Sequence, residues 1–306
     1  MHRKATPPGK SSGGRLGPAR ITLLAKSPTF RWGFFIPPHN RAKCQWYNPR
    51  VPPRERTYRT EAIILRRKDF GEADRVLTLL TPELGKVRAV AKGIRKPRSR
   101  KAGHLELFTC SRLLIAKGRD LDIVTQAETV NAYRPLREVL LRGAYAAYAV
   151  ELLDKFTPDA QENRELYELL RAALGWLCDA PDLALTMHYY ELHVLGLAGF
   201  QPQLRRCVVC GRAIVAEDQF FSAAEGGAVC ARCGKEHVAP GWMPISMEAL
   251  KYLRYLQANS YTRVRALKVR PGALAEVEHV LARYITHILE RQLKSLEFLK
   301  LIRRQS

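Results

Sequence analysis

The stretch YRTEAIILRRKDFGEADRVLTLLTPELGKVRAVAK, residues 58–92, decides the fold of this chain. Runs of branched apolar residues are separated in it by turn-forming residues, which is typical of short β-strands. We predict strands over Arg59–Arg66, Arg75–Thr81 and Lys86–Lys92. The chain past residue 57 therefore begins with a sheet and not with a helical bundle.

The third predicted strand alternates along its length, so its two faces differ in chemistry. Ala89 and Ala91 lie on one face. The cations Lys86, Arg88 and Lys92 lie on the other. Because successive side chains of a strand point to opposite sides, we expect the first face to pack and the second to be cationic.

Two more strands are predicted over Ser111–Lys117 and Leu121–Thr129, joined by a turn at residues 118–120. Five short strands within about 75 residues bury their edges best by closing into a small Greek-key barrel. We therefore predict an OB-fold for this part of the chain, and an α+β, multidomain fold class once the later helices are included.

The connection between the third and fourth predicted strands is strongly basic. Residues 92–101 hold six cations and no acid, in a chain of formal net charge +22. A charge run is often only a solvated surface, but its density beside a cationic strand face favours a nucleic-acid ligand. Phosphate contacts predict binding that weakens with salt and reads little base sequence. Aromatic residues are sparse in this segment, so we expect modest discrimination between single and double strands.

Beyond Tyr133 the apolar residues recur at helical spacing. We predict helices over Pro135–Phe156, Asn163–Cys178 and Leu183–Leu197, and then a helix capped by Ser246 that runs to about Ala258. A last, long helix is predicted from Ala273 to about Leu299. This half of the chain is therefore expected to be a helical domain.

Four cysteines interrupt the helical pattern with C-x2-C, nineteen-residue, C-x2-C spacing: Cys207, Cys210, Cys230 and Cys233. This spacing is typical of a tetrahedral zinc site, because each C-x2-C turn directs two thiolates at one ion. With four protein sulfurs no position is left for water or substrate. The spacing therefore predicts one structural zinc ion per chain and no zinc chemistry.

Disulfides and chance spacing are the alternatives for these four cysteines. No secretory signal precedes them, and Cys44, Cys110 and Cys178 are scattered, which favours a reducing compartment and hence metal. Gly211 and Gly234 follow the second cysteine of each pair, where we expect the chain to turn sharply.

Residues 1–56 are predicted to be a disordered basic leader, because they hold nine prolines and a net charge of +11. Three interpretations stay open. A transit peptide would share the arginines, but the prolines interrupt the helix that it needs. An arm that grips DNA would use the interleaved aromatic and basic residues. A start site assigned too far upstream would place the true start near Val51, and we favour this interpretation.

No catalytic motif is recognisable, so the sequence suggests no enzyme. His188 and His193 are five residues apart and do not share a helix face, so we expect ordinary side chains. A nuclease would need Asp120, Asp122 and Glu128 as metal ligands, but these lie on an ordinary solvent-facing strand. An RNA-binding or ribosome-associated protein is the other alternative, since a basic OB-fold with a zinc site suits RNA as well. No apolar run reaches the length that spans a bilayer.

Read together, these segments resemble the RecO family of bacterial recombination mediators. The resemblance lies in five motifs: Tyr58–Leu65, Gly71–Asp74, Gly85-Lys86, Val90–Gly93 with the basic run after it, and Leu197–Pro202 just before Cys207. It covers essentially everything after residue 57, and the leader lies outside it.

The resemblance implies an OB-fold domain over residues 57–132 and a helical domain over 133–306, with a zinc module inserted at about 203–240. It implies a non-enzymatic cytoplasmic protein of the bacterial nucleoid that binds single- and double-stranded DNA and anneals complementary strands. With a partner called RecR, such proteins help to load RecA on DNA coated by single-stranded-DNA-binding protein, whose acidic tail is a further expected partner. The family's DNA contacts would fall here on Lys86, Arg88, Lys92, Arg95, Lys96, Arg98, Arg100 and Lys101.

Overall fold

The structure, a computed structural model, describes residues 56–236 and 241–305. The predicted leader lies outside these residues except for Arg56, as do residues 237–240 at the end of the predicted zinc module. The first part of the described chain is a β-barrel, and the rest is helical with a small sheet inserted.

The barrel consists of β1 (Thr57–Phe70), β2 (Asp74–Thr81), β3 (Gly85–Ala91), β4 (Cys110–Ala116) and β5 (Asp122–Asn131). The strands close in the order β1-β2-β3-β5-β4, and only β3 and β5 run parallel. All five predicted strands are present, and the predicted OB-fold is confirmed.

Alternation along the strands gives the barrel its own core. Inward side chains come from every strand and include Ala62, Ile64, Leu77, Leu79, Ala89, Ala91, Leu113, Ile115 and Val124. The register of β1 against β2 shifts between Ile64 and Arg66. Alternation lets β1 serve two cores, because Ile64 packs inside the barrel whereas Ile63 and Leu65 pack against the helices. The bulge then reverses the alternation, so that Arg66 lies on the outer face beside Thr78.

The helical domain begins with α1 (Pro135–Glu138), α2 (Leu140–Phe156), α3 (Arg164–Asp179) and α4 (Leu183–Leu197). The predicted helix from Pro135 is interrupted at Val139, whose backbone is extended. Helix α4 is apolar around its circumference and lies at the centre of the domain.

The inserted module contains β6 (Gln219–Ser222), β7 (Gly227–Val229), α5 (Ala231–Glu236) and β8 (Met243–Ile245). The three strands form an antiparallel sheet in the order β7-β6-β8. The chain thus leaves α4, forms the cysteine-bearing segment and returns to the helical domain along β8.

The chain ends with α6 (Met247–Ala258), α7 (Tyr261–Val264), α8 (Pro271–Leu289) and α9 (Lys294–Gln305). As predicted, Ser246 caps α6, since its Oγ accepts a hydrogen bond from the amide of Ala249 at 3.2 Å. No helix within residues 56–236 and 241–305 is long and apolar enough to cross a membrane.

The prediction of one long helix from Ala273 to Leu299 is wrong, because the chain breaks between α8 and α9. Glu290 adopts a left-handed conformation (φ 53°, ψ 21°) that ends α8. The amide of Ser295, at the start of α9, then donates to Glu151 of α2 at 2.8 Å. Leu293, in the break, is buried in the helical core, and α9 packs against α2.

Candidate nucleic-acid interface and metal centre

The basic connection after β3 is fixed to the barrel at several points. Ile94 is buried in the barrel core. The amide of Gly93, which has a φ of 66°, donates to Asp74 Oδ1 at 2.7 Å. The amide of Arg95 donates to the carbonyl of Ala73 at 2.9 Å. The cations of this connection therefore project from a defined backbone beside the β1–β2 turn.

Most cations of this connection are exposed and lack an acidic partner. Arg95 lies 3.6 Å from Asp69, at the edge of salt-bridge range. Within the described parts of the chain, no carboxylate forms a salt bridge with the other exposed cations of the connection, which are Lys92, Lys96, Arg98 and Arg100. Their positive charge is thus available to an anionic ligand. We call these five residues the cationic rim.

Lys101 is placed differently from its neighbours. Its ammonium donates to the carbonyl of Val124 on β5 at 2.9 Å. Burial lowers the pKa of Lys101 although Asp74 opposes the shift. Lys101 therefore closes the connection against the barrel and does not extend into solvent with the cationic rim.

Lys86 contradicts the expectation of an exposed cationic face at its position. It points away from the barrel core, as the alternation predicts, but the helical domain covers it and its side chain is only 9% exposed. Its ammonium donates to Asp154 Oδ1 (3.2 Å) and to the carbonyl of Thr157 (2.8 Å), and Asp159 lies at 3.1 Å. Lys86 therefore joins β3 to the end of α2 and is corrected from a DNA contact to an interdomain contact.

Arg88 is exposed on the outer face of the barrel, as predicted. The register places Arg66, Thr78 and Arg88 in one row across three strands. This row lines a cleft of about 620 Å³, the barrel cleft. The complete lining is Arg66, Arg67, Lys68, Asp69, Phe70, Val76, Thr78, Arg88, Leu121 and Asp159.

The acidic groups of the barrel cleft are already paired with cations. Asp69 accepts a hydrogen bond from Arg75 at 2.8 Å, which lowers the pKa of Asp69. Asp159 is paired with Lys86. Within the described residues, Lys68 and Arg88 have no such carboxylate partner. The cleft therefore carries unneutralised positive charge.

Arg66, Lys68 and Phe70 line the cleft but were not predicted from the sequence to do so. The predicted first strand ended at Arg66, whereas β1 continues to Phe70. Strand spacing shows that the three residues share one face if the strand continues. Their outward direction depends on the bulge after Ile64, because plain alternation from Ala62 and Ile64 would turn them towards the barrel core.

The structure brings the four predicted metal-ligating cysteines together. Their sulfur atoms all lie within 4.8 Å of one another, and this is the metal-ligand cluster found in the described residues. The Sγ atoms of Cys210 and Cys230 are 3.8 Å apart. A disulfide would need about 2.05 Å, whereas sulfurs around one zinc ion with bonds of about 2.3 Å stand about 3.8 Å apart.

The surroundings of the cysteines also suit a cation. Burial opposes ionisation of Cys207, but backbone amides from Cys230, Cys210 and Val209 outweigh it and lower its pKa to about 6. Hydrogen bonding to Cys230 and burial raise the pKa of Cys233 to about 12. Four adjacent thiolates repel one another, so the set ionises fully only around a metal ion. The cluster can therefore hold a metal.

The two glycines after the cysteine pairs have different roles. Gly211 has a φ of 72°, so it makes the sharp turn that we expected. Gly234 lies inside α5 and does not have a positive φ. A Cβ at Gly234 would lie 2.1 Å from the ring of Phe220, so packing and not turning requires glycine there.

Comparison with known proteins agrees with this architecture. The family model described as "Recombination protein O N terminal" matches residues 56–133, and "Recombination protein O C terminal" matches residues 137–297. The chain belongs to the RecO family. The predicted resemblance is thus confirmed, and the two matched regions of RecO correspond to the barrel and to the helices with their inserted module.

Relatives named "DNA repair protein RecO" match most of the chain. The protein from Roseiflexus sp. (strain RS-1) is 44% identical over 82% of this chain and 87% of its own length. Relatives from Symbiobacterium thermophilum (37%) and Dehalococcoides mccartyi strain 195 (36%) align over 98% and 94% of their lengths. These RecO relatives are thus named as DNA repair proteins.

The remaining candidates from the sequence do not assemble a site in this RecO chain. His188 is buried, and burial lowers its pKa to about 4. Asp122 accepts a hydrogen bond from the Tyr58 hydroxyl at 2.7 Å, and Glu128 and Asp120 face arginines on the surface. Over residues 56–236 and 241–305, these carboxylates form no metal-ligand group.

Proposed function

We propose that this RecO-family protein is a non-enzymatic DNA mediator that binds single- and double-stranded DNA and anneals complementary strands. The cationic rim carries the proposal, because it is exposed, basic and almost free of acidic partners. Arg88 and the rim residues Lys92, Arg95, Lys96, Arg98 and Arg100 are the proposed DNA contacts. Lys86 is not among them, and Lys101 contributes by fixing the connection.

Annealing follows from the physics of such a surface. Two DNA strands repel each other through their phosphates, and cations that neutralise phosphates release bound counterions and reduce this repulsion. Phosphate contacts leave base edges free, so paired strands can form on the protein. No nucleotide hydrolysis is required for this step.

Four cysteines close the metal site, and we propose zinc as its ion. Sulfur ligands and tetrahedral spacing suit zinc, and a site with four protein ligands stabilises a fold and leaves no position for a substrate. Cys207, Cys210, Cys230 and Cys233 would hold the ion between the turn after α4 and α5. Loss of zinc would then disrupt at least the inserted module.

The partners and cellular location follow from the family proposal. We propose that the protein acts with RecR to load RecA on DNA covered by single-stranded-DNA-binding protein, whose acidic tail it contacts, in the bacterial cytoplasm. The relatives' name, DNA repair protein, supports this role. The domain division at 57–132 and 133–306 belongs to the same proposal.

Salt dependence of DNA affinity tests the proposal directly. We expect a variant with Arg95, Lys96, Arg98 and Arg100 changed to glutamine to bind single strands more weakly and with a salt slope smaller by up to about 3, since each phosphate contact contributes about 0.7. Titrations at several salt concentrations with fluorescent oligonucleotides measure this.

The control for that variant loses the same charge elsewhere. Lys251, Lys268, Arg291 and Lys294 are exposed on the helical domain, and changing them to glutamine should leave the slope nearly unchanged. Equal effects of the two variants would contradict the proposed site. Tighter binding of RNA than of DNA of matched length would instead favour the RNA-binding alternative.

A further inference from the structure

Phe70 is an exposed aromatic residue on the functional face of the barrel. Phe70 is 55% exposed and lines the barrel cleft. It lies at the end of β1, two residues after Lys68, so the two side chains share the outer face. A single exposed phenylalanine needs no explanation by itself, but one inside a cationic cleft does.

The surroundings of Phe70 match those of a nucleic-acid strand. Lys68 lies beside it on β1. Arg88 lies on β3 in the row of Arg66 and Thr78, two strands across from β1 and four residues along it from Phe70, which is about 16 Å at the usual strand dimensions. Leu121, from the connection between β4 and β5, adds an apolar wall. The cleft thus combines one aromatic surface with cations that follow it along the outer face, which is the combination that binds single strands.

The location in the barrel points to the same ligand. The cleft lies on the outer face of β1–β3, beside the β1–β2 turn and the β4–β5 connection. In OB-folds, oligonucleotides bind on this face and between these two loops. The cationic rim begins directly after β3, so a strand in the cleft can continue onto it.

We propose that the barrel cleft binds a single nucleic-acid strand, with one base stacked on Phe70, an adjacent phosphate held by Lys68 and a phosphate farther along the strand held by Arg88. The proposal rests on the proposed function and deepens it, since it identifies the residue that distinguishes single strands from duplex. A base inside a duplex is already stacked and is unavailable to Phe70, whereas the phosphates of both forms remain available to the cations.

The test compares four versions of the full-length protein: wild type, Phe70→Ala, Phe70→Leu and Phe70→Trp. Each is titrated against a fluorescent single strand and a duplex of matched length at several salt concentrations. We expect Phe70→Ala and Phe70→Leu to weaken single-strand binding about tenfold, duplex binding to change less than twofold, and Phe70→Trp to retain affinity. The salt slope should not change in the Phe70 variants.

Two control variants separate stacking from other effects. Phe298→Ala removes a similarly exposed phenylalanine (44%) from α9 and should bind both ligands like wild type. Arg88→Ala should lower the salt slope for both ligands by about one.

Two results would overturn the proposal. If Phe70→Leu binds the single strand as tightly as wild type, no aromatic ring is needed at this position. If Phe70→Ala binds the single strand and the duplex more weakly by the same factor, Phe70 does not discriminate between the two forms. Both leave the proposed DNA function intact. Wild type that binds neither ligand would instead remove the proposed function, and this inference with it.

Discussion

At the residue scale, Lys86 shows what a local pattern can and cannot predict. Strand alternation correctly placed its side chain on the outer face of β3. Whether that face meets solvent or protein depends on Asp154, which lies 68 residues later in the chain. A buried lysine is stable only when paired and hydrogen-bonded, and Asp154 with the Thr157 carbonyl provides both. No local signal in the sequence distinguishes Lys86 from Arg88.

Glu191 provides a prediction at the same scale. It is buried on α4 and accepts a hydrogen bond from the Tyr148 hydroxyl of α2 at 2.5 Å. Burial raises its pKa to about 8, and Glu278 of α8 adds to the shift. Because the folded protein holds this proton and an unfolded chain releases it near pH 4.5, stability falls as pH rises from about 4.5 to 8.

His188, on the same helix, acts in the opposite direction at lower pH. Burial lowers its pKa from 6.5 to about 4, so its contribution to stability grows as pH rises between these values and is complete above 6.5. Of these two groups, Glu191 alone therefore makes the free energy of unfolding depend on pH between about pH 6.5 and 8.

We expect the stability of Glu191→Gln not to decline between pH 6.5 and pH 8 as that of wild type does. Relative to wild type, its free energy of unfolding should therefore rise by on the order of 2 kcal/mol over this range. Glutamine keeps the shape and still accepts from Tyr148. Urea unfolding at the two pH values measures the effect, and Glu165→Gln on the exposed surface of α3 is the matched control. An unchanged pH slope in Glu191→Gln would contradict a raised pKa.

At the element scale, the periodicity of apolar residues predicted most of the fold, because the buried faces of the strands and helices follow the same periodicity. The barrel strands were predicted from apolar runs, turn residues and alternation, and α3, α4 and α6 from helical spacing. The prediction of a single last helix failed because no glycine or proline lies between Leu289 and Lys294 to signal a break. The break depends on Ser295 bonding to Glu151, a contact between distant parts of the chain.

The packing of α5 on β6 gives an element-scale prediction. Gly234→Ala would force a methyl group into the ring of Phe220, 2.1 Å from the nearest ring carbon. Overpacking costs about 1–3 kcal/mol, and here it shifts the helix that carries Cys233. We therefore expect Gly234→Ala to bind metal less tightly and to melt at a lower temperature than wild type.

Gly196→Ala is the matched control, because Gly196 lies in α4 with no atom within 4 Å of the added carbon. This variant should be as stable as wild type or more stable by about 0.5–1 kcal/mol, because glycine loses more conformational freedom in a helix than alanine does. Metal analysis and melting curves of both variants make the comparison. Equal metal affinity in Gly234→Ala and wild type would contradict the link between α5 packing and the cysteine cluster.

At the scale of the whole molecule, the charge distribution connects the fold to the function. The chain carries +22, and within the barrel the cations concentrate on the rim and the cleft while the acids there are paired. The sequence predicted the rim, because a dense basic run is visible without a structure. It did not predict the cleft, because the cleft forms only when β1, β3 and the helical domain come together.

The most direct test of the central claim is annealing of two complementary oligonucleotides coated with single-stranded-DNA-binding protein, without nucleotide. We expect full-length, metal-loaded wild type to accelerate annealing. The variant with Arg95, Lys96, Arg98 and Arg100 changed to glutamine should lose most of the acceleration, and the charge-matched helical-domain variant should keep it. No acceleration by wild type, or equal acceleration by the rim variant, would contradict a DNA mediator that acts through the cationic rim.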